Sequence, residues 1–343
     1  MENEILFDVC GRAGVITLNR PKALNAVTMN MVQKLGPQLE KWAGDEAISH
    51  VIIKAADGRA FSAGGDIVQL YQWGLEKDPR FLEFYDREYP LNVAIKRFPK
   101  PYIALIDGIV MGGGVGVSFH GSHRIVTENL TFAMPETGIG LFPDVGGTHF
   151  LPRCPGAIGM YLGLTGNRVK AADAIYTGLA THFVPADKLP ELEKALCSST
   201  DIEATLSEFV APVDTAPLEG LKKQINRHFR KTSVEAIFAS LAADDDEWAA
   251  KTLATLKQKS PTSLLITFRQ LLEGATLSFE AAMQLEFRIV SRIIKGTDFL
   301  EGIRAVVIDK DMKPQWQPAR FEDIPKSDID AYFTPLPRGL DLP

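Results

Sequence analysis

Ten of the 28 glycines in this 343-residue chain fall between residues 108 and 147, and this clustering narrows the fold more than any other feature. Glycine inside a helix or strand costs about 0.5–1 kcal/mol relative to alanine, so such a cluster does not fill a regular element. It marks backbone that must approach something closely, or amides that must face outward. In the same stretch Glu136 and Asp144 each follow a proline. Outward amides beside positioned carboxylates are the parts that polar chemistry at a carbonyl requires.

The flanking sequence places this stretch in an alternating chain. Residues 4–19 read as an antiparallel hairpin turning at Gly11-Arg12-Ala13-Gly14, and Pro21 ends the second strand. From Thr28 to Gly44 the apolar positions Met31, Leu35, Leu39 and Trp42 recur at helical spacing. Residues 51–55 and 102–106 are short apolar strands, each followed by a turn of small residues. The first turn is Phe61-Ser62-Ala63-Gly64-Gly65-Asp66; the second is the glycine-rich stretch. Residues 79–97 and 156–164 read as helices, and 131–133 as a strand. Strand and helix alternate to about residue 190, which predicts an α/β fold. From 189 to 295 only amphipathic helical patterns appear, such as Leu264, Phe268, Leu271 and Leu272. The proline- and aspartate-rich tail after Pro314 is expected to wrap the surface. The expected organisation is a core over 1–190 and a helical region over 191–343 packed on it.

Gly112-Gly113-Gly114-Val115-Gly116 follows a strand and opens a helix, which invites three readings. A dinucleotide-binding turn would need G-x-G-x-x-G spacing in the first βα unit, and the run meets neither condition. Tight helix–strand packing is the bland reading. The functional one is an outward amide that binds an oxyanion, with Gly64-Gly65 on the neighbouring unit supplying a second donor. Glu136 and Asp144 are either ordinary loop acids or, among Met134, Leu141 and Phe142, carboxyls whose pKa is raised for base or nucleophile work. His120 and His123 read as one helical turn apart, without Glu or Cys at ligand spacing, so no metal is expected. A Ser–His–Asp triad lacks its G-x-S-x-G elbow. The basic run from Lys222 to Lys231 is most simply a solvated helix face, and residues 244–247 an acidic helix start.

Composition removes other classes. A net charge of −6 argues against a nucleic-acid groove, and no apolar run approaches the roughly 20 residues of a membrane span. The N-terminal residues lack the pattern of a secretory or transit peptide. Cys10, Cys154 and Cys197 are odd in number and far apart in sequence, which favours a reducing compartment. Cytoplasm in a bacterium, or the mitochondrial matrix after removal of a transit peptide, is the expected location.

Residues 18–26, 60–67 and 108–116 stand in the order and register of the crotonase (enoyl-CoA hydratase/isomerase) superfamily, which the chain resembles over roughly its first 190 residues. The resemblance implies a spiral of β-β-α turns and an acyl-CoA thioester as substrate. It places the amides of Gly65 and Gly113 on the thioester oxygen. Lys22, Ala23, Leu24, Ala63 and Ile67 would lie along the CoA moiety. Hydratases of this family carry one catalytic glutamate in a GGG-x-E element and a second in a P-E element; here those positions are Gly116 and Glu136. Asp144 stands where hydratases typically have glycine.

Residues 132–147, 260–263 and 299–311 resemble the family's 3-hydroxyisobutyryl-CoA hydrolase branch, and Glu88 matches a position implicated there in substrate contact. That branch implies hydrolysis of a short branched 3-hydroxyacyl-CoA, as in valine breakdown. Glu136 would be nucleophile or general base, and Asp144 would orient the substrate hydroxyl or the water, or protonate the thiolate. No cofactor is expected, coenzyme A being part of the substrate. The one partner expected is the acyl-CoA, beside a homo-oligomer if the helical region leaves the assembly surface free. The alternatives are an enoyl-CoA hydratase or isomerase of the same fold and, more distantly, a non-catalytic acyl-CoA-binding protein.

Overall fold

Strand β1 (Ile5–Cys10) pairs antiparallel with β2 (Ala13–Leu18), Ile5 opposite Leu18, in a computed structural model that describes residues 3–343. The turn is only Gly11-Arg12, two residues tighter than the sequence suggested, and Gly11 adopts φ +59°. Helix α1 (Met29–Gly44) starts where Thr28 Oγ1 accepts the Met31 N–H at 3.1 Å, and it buries Met31, Leu35, Leu39 and Trp42. Strands β3 (His50–Ala55) and β4 (Ala60–Ser62) lead into α2 (Ile67–Glu76) and α3 (Arg80–Lys96). Then come β5 (Tyr102–Ile106), β6 (Ile109–Met111), the single turn α4 (Gly113–Gly116), β7 (His123–Val126) and β8 (Thr131–Ala133). The chain continues through α5 (Gly147–Phe150), α6 (Ile158–Thr165), α7 (Ala171–Tyr176) and β9 (His182–Phe183).

These strands form two sheets, β1-β2-β3-β5-β7-β9 and β4-β6-β8. Each of the pairs β3/β4, β5/β6 and β7/β8 gives its first strand to the large sheet and its second to the small one. That repetition is the β-β-α spiral the resemblance implied. Beyond β1 every pairing is parallel, and parallel strands covered on both faces read as continuous apolar runs, as Val51-Ile52-Ile53 and Ile103 to Ile106 do.

Among the described residues no strand follows β9. Helices α8 (Leu189–Ser198), α9 (Ile202–Ser207), α10 (Pro217–Phe229), α11 (Val234–Ala242), α12 (Glu247–Leu256), α13 (Pro261–Gly274), α14 (Phe279–Ile293), α15 (Asp298–Ile303) and α16 (Lys326–Phe333) complete the chain. Helix α14 packs on α3, so Phe279, Met283 and Val290 join the apolar core that holds Phe84, Tyr89 and Phe142.

Three expectations change. The tail beyond Pro314 does more than wrap, because α16 packs on α13 and α14 and buries Ile329 and Phe333. His123 starts β7 rather than sharing a helix turn with His120; it meets Glu203 Oε1 at 2.8 Å, while His120 Nε2 meets the Val145 carbonyl at 2.7 Å. In the basic run Lys223 and Arg227 are exposed, but His228 is fully buried, 3.0 Å from both Ser240 Oγ and Asp244 Oδ2. The acidic run does start a helix: Asp246 Oδ1 accepts the Trp248 N–H at 2.8 Å.

Candidate active site

Because β4 and β6 are neighbours in the small sheet, the turns that leave them lie side by side. After Ser62 the chain turns through Gly64 at φ +118°, and after Met111 through Gly112 at φ +44°, both conformations that side chains resist. A Cβ built on Gly113 would stand 3.1 Å from the Gly65 nitrogen and 2.7 Å from Glu88 Oε1. Neither the Gly65 nor the Gly113 N–H donates to an acceptor among the described residues. Helix α4 is a single turn, so the donor strength resides in the two N–H groups rather than in a long helix dipole.

Both turns open on a cavity of about 440 Å3. Ala63, Gly65, Ile67, Gly113, Glu88, Glu136 and Asp144, all singled out in the sequence, line it together. Lys22, Ala23 and Leu24 do not; they sit on the turn after β2, which abuts the cavity rim where the Leu24 carbonyl accepts the Ala63 N–H at 2.9 Å. Lys259, Phe299 and Met312 bring the helical region into the cavity wall, a contribution the sequence did not announce.

Glu136 opens a single 3-10 turn (Glu136–Ile139) after β8, and Gly140 at φ +71° folds the chain back so that the Leu141 N–H reaches the Glu136 carbonyl at 3.0 Å. Two carboxylates eight residues apart thereby face one space. Glu136 and Asp144 are each 4% exposed, Glu88 2% and Glu286 0%, so four acids share an apolar interior. Burial, reinforced by the nearby Asp144 charge, pushes the carboxyls of Glu88 and Glu136 well above the usual range. Burial pushes Asp144 up to about 7, opposed by the Tyr89 hydroxyl, which donates to Oδ2 at 2.9 Å. Burial and Asp144 push Glu286 up to about 8, opposed by its bonds to backbone N–H groups. Oε1 of Glu88 and Oε2 of Glu136 have no partner among the described residues, leaving acceptors for a bound substrate in the cavity. Lys259 also faces it; burial lowers its pKa, while the Glu136 charge works the other way.

Gly116 is tightly packed against two side chains. A Cβ there would lie 2.8 Å from Asn92 Nδ2 and 3.1 Å from Val145 Cβ, and Asn92 already donates to the Gly116 carbonyl at 3.1 Å.

Sequence reasoning missed Glu286, Tyr89 and Lys259. Glu286 had a signal. Phe279, Ala282, Met283, Val290 and Ile293 follow helical spacing, and Glu286 stands on that same buried stripe, where a charge calls for an explanation.

A sequence profile described as "Enoyl-CoA hydratase/isomerase" matches residues 13–333. The 3-hydroxyisobutyryl-CoA hydrolase, mitochondrial, of Xenopus tropicalis is 47% identical over 98% of this chain and 90% of its own length. The Homo sapiens protein of the same name is 44% identical over 97% and 89%. Two solved structures superpose over nearly everything. A carnitinyl-CoA dehydratase from Mycobacterium thermoresistibile gives a TM-score of 0.95 at 37% identity, covering 99% of both chains. An enoyl-CoA hydratase from Rhodobacter sphaeroides 2.4.1 gives 0.93 at 41%, covering 99% of this chain and 100% of its own.

Proposed function

The chain belongs to the enoyl-CoA hydratase/isomerase family, and from that premise we propose that it hydrolyses 3-hydroxyisobutyryl-CoA to the free acid and coenzyme A, a step of valine breakdown. The names of its relatives divide between thioester hydrolysis and hydration. The residues at 116 and 144 favour hydrolysis: a glycine packed against Asn92 and Val145 stands where a hydratase carries its second carboxylate, while a buried Asp144 lines the cavity instead.

In this mechanism the thioester oxygen accepts hydrogen bonds from the N–H groups of Gly65 and Gly113. They stabilise the oxyanion of the tetrahedral intermediate, a contribution worth about 2.7–4 kcal/mol per donor in comparable sites. Glu136, its basicity raised by burial, acts on the carbonyl carbon directly, forming an anhydride that water then opens, or through an activated water. Asp144, titrating near neutrality, orients the 3-hydroxyl or the water, or returns a proton to the departing thiolate. Glu88, with a free acceptor oxygen beside Gly113, holds the acyl portion. Lys22, Ala23 and Leu24 at the rim, with Ala63 and Ile67 in the wall, lie along the CoA. The chemistry needs neither metal nor redox cofactor, because thiolate is already a fair leaving group. For location we propose the mitochondrial matrix, the curated relatives being named as mitochondrial, or a bacterial cytoplasm. Self-assembly is proposed on the surface the helical region leaves free.

The test follows free thiol from 3-hydroxyisobutyryl-CoA and loss of the enoyl chromophore from crotonyl-CoA. Wild type releases thiol and leaves crotonyl-CoA largely intact; Glu136→Gln and Asp144→Asn each lose thiol release by about 100-fold or more. Undiminished release in both variants would sink the site assignment. Efficient hydration by wild type would sink hydrolysis in favour of the hydratase.

A further inference from the structure

The turn that carries Asp144 is strained. Val145 adopts φ +45°, a left-handed conformation a β-branched residue resists, and Gly146 follows at φ +92°. Such a conformation is costly and persists only where its surroundings over-determine it. Two buried polar side chains from the helical region do this. Glu286 on α14 accepts the Gly146 N–H at Oε2 (2.9 Å) and the Thr148 N–H at Oε1 (3.0 Å). Gln270 on α13 donates from Nε2 to the Pro143 carbonyl and to Thr148 Oγ1, each at 2.6 Å.

Both side chains are fully buried, and neither belongs to the cavity lining. A carboxylate on an otherwise apolar helix stripe is costly unless its oxygens are satisfied, and those of Glu286 are satisfied by the Asp144 turn. An aliphatic residue would fill α14's inward face at lower cost but could not hold the turn.

We propose that Glu286, seconded by Gln270, is a positioning residue for the reaction: it clamps the strained Pro143–Thr148 turn so that the Asp144 carboxylate meets the substrate in one orientation. The inference rests on the role given to Asp144 above. It makes the helical region part of the catalytic apparatus rather than a cover for the spiral. A single amide in place of the carboxylate offers one acceptor oxygen to two N–H donors, so one tie to the turn is lost while the cavity wall is unchanged.

The experiment measures kcat and KM for thiol release from 3-hydroxyisobutyryl-CoA in wild type, Glu286→Gln, Glu286→Asp, Asp144→Asn and the Asp144→Asn/Glu286→Gln double variant. A misplaced catalytic group costs kcat and spares binding, so Glu286→Gln loses kcat by about 10- to 100-fold while KM stays within about twofold. Glu286→Asp, which keeps two acceptor oxygens, regains part of that loss. The double variant is no slower than Asp144→Asn within about threefold, because a clamp has no effect once the clamped group is gone. Losses that multiply in the double variant, or a Glu286→Gln enzyme with wild-type kcat, overturn the proposal. If Glu286→Gln does not fold, Glu286→Asp and Gln270→Leu carry the test: both lower kcat at constant KM, and full activity in both overturns it. Wild-type thiol release in Asp144→Asn overturns the role of Asp144 itself, whatever the Glu286 variants do.

Discussion

Asp144 would be an unremarkable loop acid were it not for Tyr89. The tyrosine hydroxyl donates to Oδ2 at 2.9 Å and favours the ionised carboxylate, against the burial that raises its pKa to about 7. Tyr89→Phe removes the bond without opening a cavity. A neutral hydrogen bond is worth about 0.5–1.5 kcal/mol, and 1.36 kcal/mol is one pH unit, so the inflection due to Asp144 in the pH–kcat profile moves up by as much as about one unit. A profile that superposes on wild type would remove Tyr89 from the site. Residue identity was the most legible layer. Glu136, Asp144, Glu88 and the glycine pair could be singled out from residue types and the family motif they share, and the structure brings them to one cavity. Tyr89 was not, because a tyrosine within a helical pattern looks alike whether it faces a core, solvent or a buried acid; Glu286 was passed over although its place on an apolar stripe marked it.

At the scale of elements, the contact that sets Glu136 is between α15 and the turn it begins. Gly302 touches the Ile139 backbone so closely that any Cβ would overlap it, and Gly140 leaves no more room against Asp298. Gly302→Ala therefore forces α15 off the turn. Overpacking of this kind costs about 1–3 kcal/mol of stability, read from denaturant midpoints, and kcat for thiol release falls as Glu136 shifts. An alanine variant with wild-type midpoint and kcat would show that the two elements are not coupled. The stretch 299–311 stood out in the sequence as a matching motif, yet the reason for its glycine is a distance between segments more than 160 residues apart. Elements with strong local signals came through with small errors: the Thr28-capped helix, the strands at 51–55 and 102–106, the hairpin with a turn two residues too long. His120 and His123 came through wrongly, because helical spacing was assumed where β7 begins.

At the scale of the whole molecule, the four carboxylates buried around the cavity give an unusual response to pH. Asp144 is raised from 3.8 to about 7 and Glu286 from 4.5 to about 8, with Glu88 and Glu136 also raised. Between the unfolded and folded values the native state binds more protons than the unfolded chain, so these groups favour folding at low pH and oppose it as pH rises. Their stabilising contribution is present below about pH 4 and is lost as pH climbs through 7 to 8. The urea midpoint of wild type accordingly falls between pH 6 and pH 9, and Asp144→Asn, which removes one titrating group and a neighbour's repulsion, falls less. Equal slopes in the two proteins would mean that the acids are not buried together in solution.

The sequence by itself determined the alternation of elements, the spiral class, the two outward-amide turns and the acids at 136 and 144. All of these rest on spacing within a few residues, on proline and glycine chemistry, or on a motif in a fixed order. Only the tertiary structure decided that Gly65 and Gly113 open on one space, because that depends on β4 lying beside β6. It alone decided that Gly116 is packed against Asn92 and Val145, which come from elsewhere in the chain. And it brought Glu286, 140 residues from the glycine it holds, beneath the Asp144 turn. Burial and long-range contact fix the charge and direction of an acid, and neither is written in the residues beside it.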